Sequence, residues 1–376
     1  MTRASLLILS FSPLISDARV LKQVRLFTPD HDVTTCGYGP APEGVVDHVE
    51  IPADLPVWRW SRAALLTRRF RSAYWGNPAV AHVRTALAGR SFDVVLADDV
   101  DTVGLALWLE PRHGVHADLH EFAPRQKEDL WRWRLFVAPF VRWLCRTYVA
   151  RARSWTTVGE GIAKEYAKDY GFTPGVVTNA APYADLEPVP VGRPVRLVHS
   201  GAALADRNID MIVDAVAAAT SELTLDLYLQ PNDPAYLGRL RARVAGEPRV
   251  TLHDPVPYDA LLATLNAYDV GVHVLPPTSF NNAWALPNKV FDYVQARLGL
   301  VVGPSPEMAR VVRGAGVGAV TGDFTTTALT ATLDGLDATT VAGWKKASAE
   351  HARELSSESQ VTVWAAAIER LLSSPG

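Results

Sequence analysis

The chain has 376 residues, 48% of them apolar and 20% charged, with a formal net charge of −3. The length exceeds one ordinary core and predicts two domains of roughly 180 residues, and the slightly acidic balance argues against general nucleic-acid binding. Two cysteines, Cys36 and Cys145, show neither metal-ligand spacing nor a disulfide framework, which favours a reducing cytoplasm.

Met1-Thr2-Arg3 leads into an apolar run that ends at Pro13, too short for a signal peptide. No stretch has the uninterrupted apolar length of a spanning helix. From there, short apolar runs alternate with helical patterns, which predicts βαβ units and parallel sheets. Residues 5–10 read as the first buried strand and 16–27 as a helix, with Ser16 or Asp17 as N-cap. Strands follow at 32–36, 93–97, 115–119, 154–158 and 176–179, a long helix at 129–150 and a shorter one at 159–170. Pro182, Pro188, Pro190 and Pro194 then punctuate a stretch without periodicity, the best linker. Beyond it strands are expected at 195–199, 223–229, 249–252, 270–274, 300–302 and 317–320. A last helix at about 360–372 carries Val361, Trp364, Ile368 and Leu371 on one face.

Such domains bind ligands beyond the carboxyl ends of their strands, so residues just after strands carry the functional argument. The first strand runs into Ser10-Phe11-Ser12-Pro13-Leu14-Ile15-Ser16-Asp17 without a Gly-x-Gly-x-x-Gly, which disfavours a dinucleotide enzyme. Asp98-Asp99-Val100-Asp101 follows a strand, and Asp99 and Asp101 have the spacing of a Mg²⁺–diphosphate site. We read them instead as a helix cap or an acceptor-side contact, with no metal. Asp118-Leu119-His120-Glu121 ends another strand. A neutral imidazole there could give or accept a hydrogen bond and support developing charge, with Glu121 orienting the ring or capping the next turn. After the linker, Ser200-Gly201 ends a strand tightly and Asp206-Arg207-Asn208 opens a helix. Arg207 can grip phosphate bidentately, and Gly201 allows close backbone approach.

Pro287-Asn288-Lys289-Val290-Phe291-Asp292-Tyr293 is the most informative segment. It reads as a helix N-terminus, where free N–H groups and the positive dipole end suit a diphosphate. Lys289 adds a point charge, and Asp292, one turn on, can accept from a ribose diol. The same spacing also fits a surface helix with an i, i+3 ion pair.

This segment resembles the nucleotide-sugar site of family 4 retaining glycosyltransferases, in the branch with a Pro-Asn-Lys-x-Phe-Glu/Asp-Tyr motif. The loop at Ser16-Asp17-Ala18-Arg19, the Asp118-x-His120-Glu121 segment, Thr157-Val158-Gly159-Glu160-Gly161 and the 253–258 loop resemble the same branch in the same order. The resemblance implies a GT-B fold, α/β, with two Rossmann-like doubly wound domains facing a cleft. Residues 1–186 would form an acceptor domain, completed by a C-terminal helix at about 358–376, and 192–357 the nucleotide-sugar-binding domain. It implies a donor site of Ser16, Gly201, Arg207, Asn282, Asn288, Lys289 and Asp292, with His120 as the catalytic residue near the reacting carbon. Asp101 and Glu121 would lie on the acceptor side. No cofactor is expected beyond the nucleoside diphosphate sugar donor. The family's first Glu of a Glu-x7-Glu pattern falls on Trp284, and Asn281, Asn282 or Asn288 would stand in for it. Its small-residue turn is altered to Ala296-Arg297-Leu298-Gly299.

Two alternatives share the pattern: a nucleotide-sugar 2-epimerase and a non-catalytic sugar-nucleotide-binding partner subunit. Two arginine–aromatic stretches, at 58–75 and 131–155, suit an anionic membrane surface. The expected partners are therefore a nucleotide sugar, a glycan, lipid-linked or small-molecule acceptor, and an anionic membrane, but no nucleic acid. The expected place is the cytoplasm, peripherally on the inner face of the membrane.

Overall fold

The structure, a computed structural model, describes residues 3–374. Residues 1–2 of the leader reading and the outermost ends of the expected domain ranges lie outside the described residues. Contacts divide the chain into two units. The first comprises Met1–Thr178, Ser279–Asn281 and Val361–Gly376, and the second Asn179–Thr278 and Asn282–Gln360.

The first unit has seven parallel strands: β1 (Ser5–Pro13), β2 (Asp32–Tyr38), β3 (Asp47–Ile51), β4 (Val94–Asp98), β5 (Gly114–Leu119), β6 (Ser154–Thr157) and β7 (Gly175–Val176), in the order β3-β2-β1-β4-β5-β6-β7. Leu6–Leu9 are wholly buried, as a strand covered on both faces requires. The helix Ala18–Phe27 returns from β1, and its N-cap is Asp17, whose carboxylate accepts from the N–H groups of Arg19 and Val20. The last helix, Thr362–Ser373, buries Trp364, Ile368 and Leu371 against Leu6, Ile8, Val94 and Leu96. Each such side chain contributes about 1.5–3 kcal/mol of burial, enough to hold a terminal helix.

The second unit has six parallel strands: β8 (Val195–Ala202), β9 (Leu223–Gln230), β10 (Val250–His253), β11 (Val270–His273), β12 (Gly299–Val302) and β13 (Gly318–Val320), in the order β10-β9-β8-β11-β12-β13. Along β9, Leu223, Leu225, Leu227 and Leu229 point to the core while Asp226, Tyr228 and Gln230 take the other face. In both sheets the strand order reverses beside the first strand, at β1/β4 and at β8/β11. Crevices form at such reversals.

Two sequence expectations need correction. The single helix at 129–150 is instead a π turn, Trp133–Val137, running into an α-helix, Ala138–Thr147. Pro139 has no N–H to give, so the ladder shifts and Ala138 N–H donates five residues back to Trp133 O. The edge strand β3 was not foreseen. Its sequence, Asp47-His48-Val49-Glu50-Ile51, is charged on its outer face as edge strands often are.

Candidate functional site

In the second unit, β8, β9 and β11 end around a pocket of about 390 Å³ lined by Ser200, Gly201, Ala202, Arg207, Tyr228, Gln230, Pro255, Val256, Tyr258, Leu261, His273, Pro287, Asn288, Lys289 and Asp292. Of the expected donor residues, Gly201, Arg207, Asn288, Lys289 and Asp292 meet here. Arg207 closes the 3-10 turn Ala205–Arg207, directly before the helix Ile209–Ala218. Lys289 and Asp292 lie on the helix Asn288–Gln295, whose N-terminus opens on the pocket. Pro255, Val256 and Tyr258 come from the loop after β10 and form another wall.

Packing fixes that helix closely. The Tyr293 ring lies where a Cβ on Gly271 would be, and its hydroxyl accepts from Ser200 N–H at 3.3 Å. Gly201 is needed twice over. Its φ of +138° disfavours any L side chain, and a Cβ there would overlap Lys289 Nζ and lie 2.5 Å from Cε. At the far end of the helix, Arg297 holds a φ of 62° and is buried. Its guanidinium donates to the carbonyls of Val294 (3.2 Å), Gln295 (2.8 Å) and Ala184 (2.5 Å), closing the C-terminal end that the helix leaves unpaired.

The electrostatics suit an anion. Burial, then the neighbouring Arg207, brings Lys289 down to about 8, with Asp292 pulling the other way. Burial and the same two cations hold His273 well below its ordinary value and His199 at about 3, so both imidazoles are neutral. Tyr228 stacks on His253 at 4.7 Å, and His253 bonds to Asp226.

The other expected residues lie elsewhere. Asn282 donates to Thr278 Oγ1 at 2.8 Å and does not line the pocket. Ser16 is exposed, and its hydroxyl donates back to Pro13 O at 3.1 Å. Tyr228, Gln230 and His273 were missed. The first two follow from the alternation of β9, and His273 is a polar residue ending an otherwise apolar strand.

In the first unit, His120, itself half-buried, joins an ionic network at the carboxyl ends of β4 and β5 in which Asp98, Asp118 and Arg19 are buried and the Asp99 side chain is half-exposed. Arg19 holds Asp118 with two hydrogen bonds of 2.6 and 2.7 Å and stacks over Trp364 at 4.7 Å. Gln23 donates to Asp98 and Asp118, and Thr156 to Asp118. The His120 ring has Asp99 at 3.3 Å on Nδ1, and Asp98 and Asp118 at 3.6 Å on Nε2. Burial opposes a charge on the ring, but Asp99, Asp118 and Asp98 outweigh it and hold His120 well above its ordinary value. The structure therefore favours an imidazolium where the sequence suggested a neutral ring. Burial also lifts Asp98 to about 7, while Arg19 and His120 overcome burial to keep Asp118 ionised. Asp98, Asp118 and His120 are close enough together to hold a cation, but Arg19 already engages both oxygens of Asp118. Asp99 has a φ of 66° and its carboxylate accepts from His120 N–H at 3.1 Å. Burial and then Asp99 raise Asp101 to about 7. Glu121 rises to about 7 for the same reasons, and it accepts from Asn281 at 3.1 Å.

The arginine–aromatic stretches divide. Trp60, Tyr74, Phe140, Trp143 and Tyr148 pack together as aromatic core. Trp58, Leu66 and Trp131 are 71%, 60% and 56% exposed. A groove of about 670 Å³ runs between Leu65, Leu66, Leu130, Trp131, Phe136 and Val137, with Arg62, Lys127 and Arg132 among its walls. Among the described residues no helix is long and apolar enough to cross a membrane.

No protein-family model and no curated protein matches the chain. Solved structures do. Sucrose-phosphate synthase from Thermosynechococcus elongatus superposes with a TM-score of 0.72 at 10% identity, over 99% of this chain and 100% of that one. HepE from Anabaena in complex with UDP and glucose gives 0.69 at 13% identity, over 98% and 100%. WaaG, a glycosyltransferase involved in lipopolysaccharide biosynthesis, gives 0.58 at 14%, over 95% and 99%. These neighbours are GT-B glycosyltransferases, and the two parallel-sheet domains of this chain have that fold.

Proposed function

We propose that this GT-B chain is a glycosyltransferase that moves a sugar from a nucleoside diphosphate sugar to an acceptor hydroxyl. The observation that carries the reading is the convergence of Arg207, Lys289 and the N-terminus of Asn288–Gln295 on one pocket at the β8/β11 reversal. Two cations and free backbone N–H groups are what a leaving diphosphate needs. Asp292 accepts from the ribose hydroxyls. That HepE binds UDP and glucose in a similar fold adds support.

The finer assignments rest on the motif resemblance. These are family 4 membership, a hexose as the transferred sugar, retention of configuration, and no cofactor or metal. His120 is assigned to the sugar near its anomeric carbon on the same ground, and Asp101 and Glu121 to the acceptor side. The exposed Trp58, Leu66 and Trp131 beside arginines support a lipid-linked acceptor met at the inner, anionic face of a membrane. Cell-surface glycan or glycolipid assembly would follow from such an acceptor.

The test is to incubate the chain with UDP- and GDP-sugars, with and without lipid-linked and small-molecule acceptors, and to follow products by mass spectrometry. Glycosylated acceptor is the expected product. A C2 epimer formed without acceptor would replace the reading by an epimerase. Nucleotide binding without any turnover would leave a non-catalytic binding subunit.

A further inference from the structure

His273 is 1% exposed, and neither of its ring nitrogens has a hydrogen-bond partner among the described residues. Buried polar atoms are normally paired, and leaving one unpaired is costly. An imidazole always carries at least one N–H, so this ring holds an unused donor. Its position is specific. It closes β11 at the strand-order reversal and lines the pocket that Lys289 and Arg207 also line. His199 stacks on it at 5.6 Å between centroids, and His199 is itself anchored through Nδ1 to Val272 O at 2.8 Å. The ring plane is therefore held.

The groups that act on His273 are Lys289 from the helix Asn288–Gln295, His199 from β8 and Arg207 from the turn after it. All of them disfavour a proton on the ring. A neutral donor surrounded by positive charge lacks only an anionic acceptor.

We propose that His273 is a third phosphate-contacting residue of this pocket, its imidazole N–H donating to an oxygen of the diphosphate gripped by Lys289 and Arg207. The inference rests on the pocket being a diphosphate site and adds a residue to it. The bound oxygen supplies the missing partner, and its negative charge offsets the two cations. The ring then accepts a proton more readily with ligand than without. By linkage, its contribution to affinity grows as pH falls. The neutral ring is a donor already at alkaline pH, so the contribution shrinks there without vanishing.

The experiment is calorimetric titration with inorganic pyrophosphate, which removes the unknown base and sugar from the question. Wild type, His273→Leu, His273→Gln and Lys289→Ala are compared between pH 6 and 8.5. His273→Leu should bind about tenfold more weakly, the usual size for a hydrogen bond to a charged group. His273→Gln keeps an N–H and should lose less. The loss should already be present at pH 8.5, where the ring is neutral, and should be larger in His273→Leu than in His273→Gln, an order that follows from the N–H and not from packing. Where His273→Leu does not fold, His273→Met, which also lacks a donor, takes its place. Wild-type affinity in a folded His273→Leu, or a His273→Gln that loses as much as His273→Leu, overturns the inference. If Lys289→Ala is weakened while the His273 variants are not, only the His273 inference falls. If wild type fails to bind pyrophosphate, the diphosphate site falls with it.

Discussion

The Lys289 ammonium lies against the Cα of Gly201, in the space a Cβ would take. The cation and the turn that ends β8 are thus one unit of geometry. Gly201→Ala should cost about 1–3 kcal/mol through its left-handed φ alone and should also displace Lys289. Denaturant melts and ligand titrations on the same variant check this. Unaltered nucleoside diphosphate affinity in the folded variant would show that the lysine does not depend on its place.

Lys289→Ala and Arg207→Ala should each weaken nucleoside diphosphate binding by about 1.5–3 kcal/mol. In the proposed site the charged lysine is the form that would bind, and Lys289 is held at about 8. Wild-type affinity should therefore decline as pH rises through about 8. Lys289→Arg stays charged and should flatten the curve above that pH. Calorimetry from pH 7 to 9.5 reads both effects, and identical curves for wild type and Lys289→Arg would remove Lys289 from the binding step.

Because Lys289 and Arg207 supply positive charge at the pocket, turnover should persist in excess EDTA. Loss on chelation, with recovery on adding Mg²⁺ or Mn²⁺, would redirect attention to Asp98, Asp118 and His120, and to Asp99 and Asp101.

His120→Ala should lower kcat far more than donor affinity, the pattern of an interaction made mainly in the transition state. Its effect on stability should depend on pH with a definite sign. The folded pKa is raised above the unfolded value of about 6.5, so the ionic stabilisation is complete below about 6.5 and is lost as pH rises through the folded value. Wild type should therefore lead His120→Ala by more near pH 6, where Asp99 and Asp118 are still ionised, than in alkali. Urea melts across that range would show a constant difference if the ring were not charged.

Anionic liposomes should sediment the protein at low salt, and neutral ones should not. Each basic residue near such a surface adds about 1 kcal/mol, within a Debye length of roughly 8–10 Å. Arg68, Arg69 and Arg71 changed together to Gln should weaken sedimentation through lost charge, and Trp131→Ser through lost apolar contact. Wild type remaining in the supernatant at low salt would favour a small-molecule acceptor.

The fold was legible because period-two and buried strands such as β1 and β9 announce themselves, and because the proline-rich linker separates two series of them. The edge strand β3 escaped because Asp47, His48 and Glu50 dilute its apolar signal. The π turn escaped because periodicity cannot see a one-residue shift in hydrogen bonding ahead of Pro139. In the pocket, Lys289 and Asp292 were visible as neighbours on one helical face. Their meeting with Gly201 and Arg207 depends on β8 lying beside β11, a tertiary pairing that no local pattern encodes. His273 was hidden for a related reason: an isolated histidine in an apolar strand gives no sign of whether its nitrogens will find partners. The charge of His120 was hidden too, because it depends on Asp98, Asp99 and Asp118 closing around one ring.

Arg297 occupies a left-handed position where a residue without a side chain would be relaxed, and it spends its guanidinium on the carbonyls of Val294, Gln295 and Ala184. The helix that presents Lys289 and Asp292 is thereby tethered at its rear to the chain entering the domain. Its conformational freedom is surrendered when the protein folds and not when a ligand arrives. Association then carries little ordering penalty from this element. In the proposed site, Lys289 and Asp292 would already be in place when they meet a ligand, their position set by a residue outside the pocket.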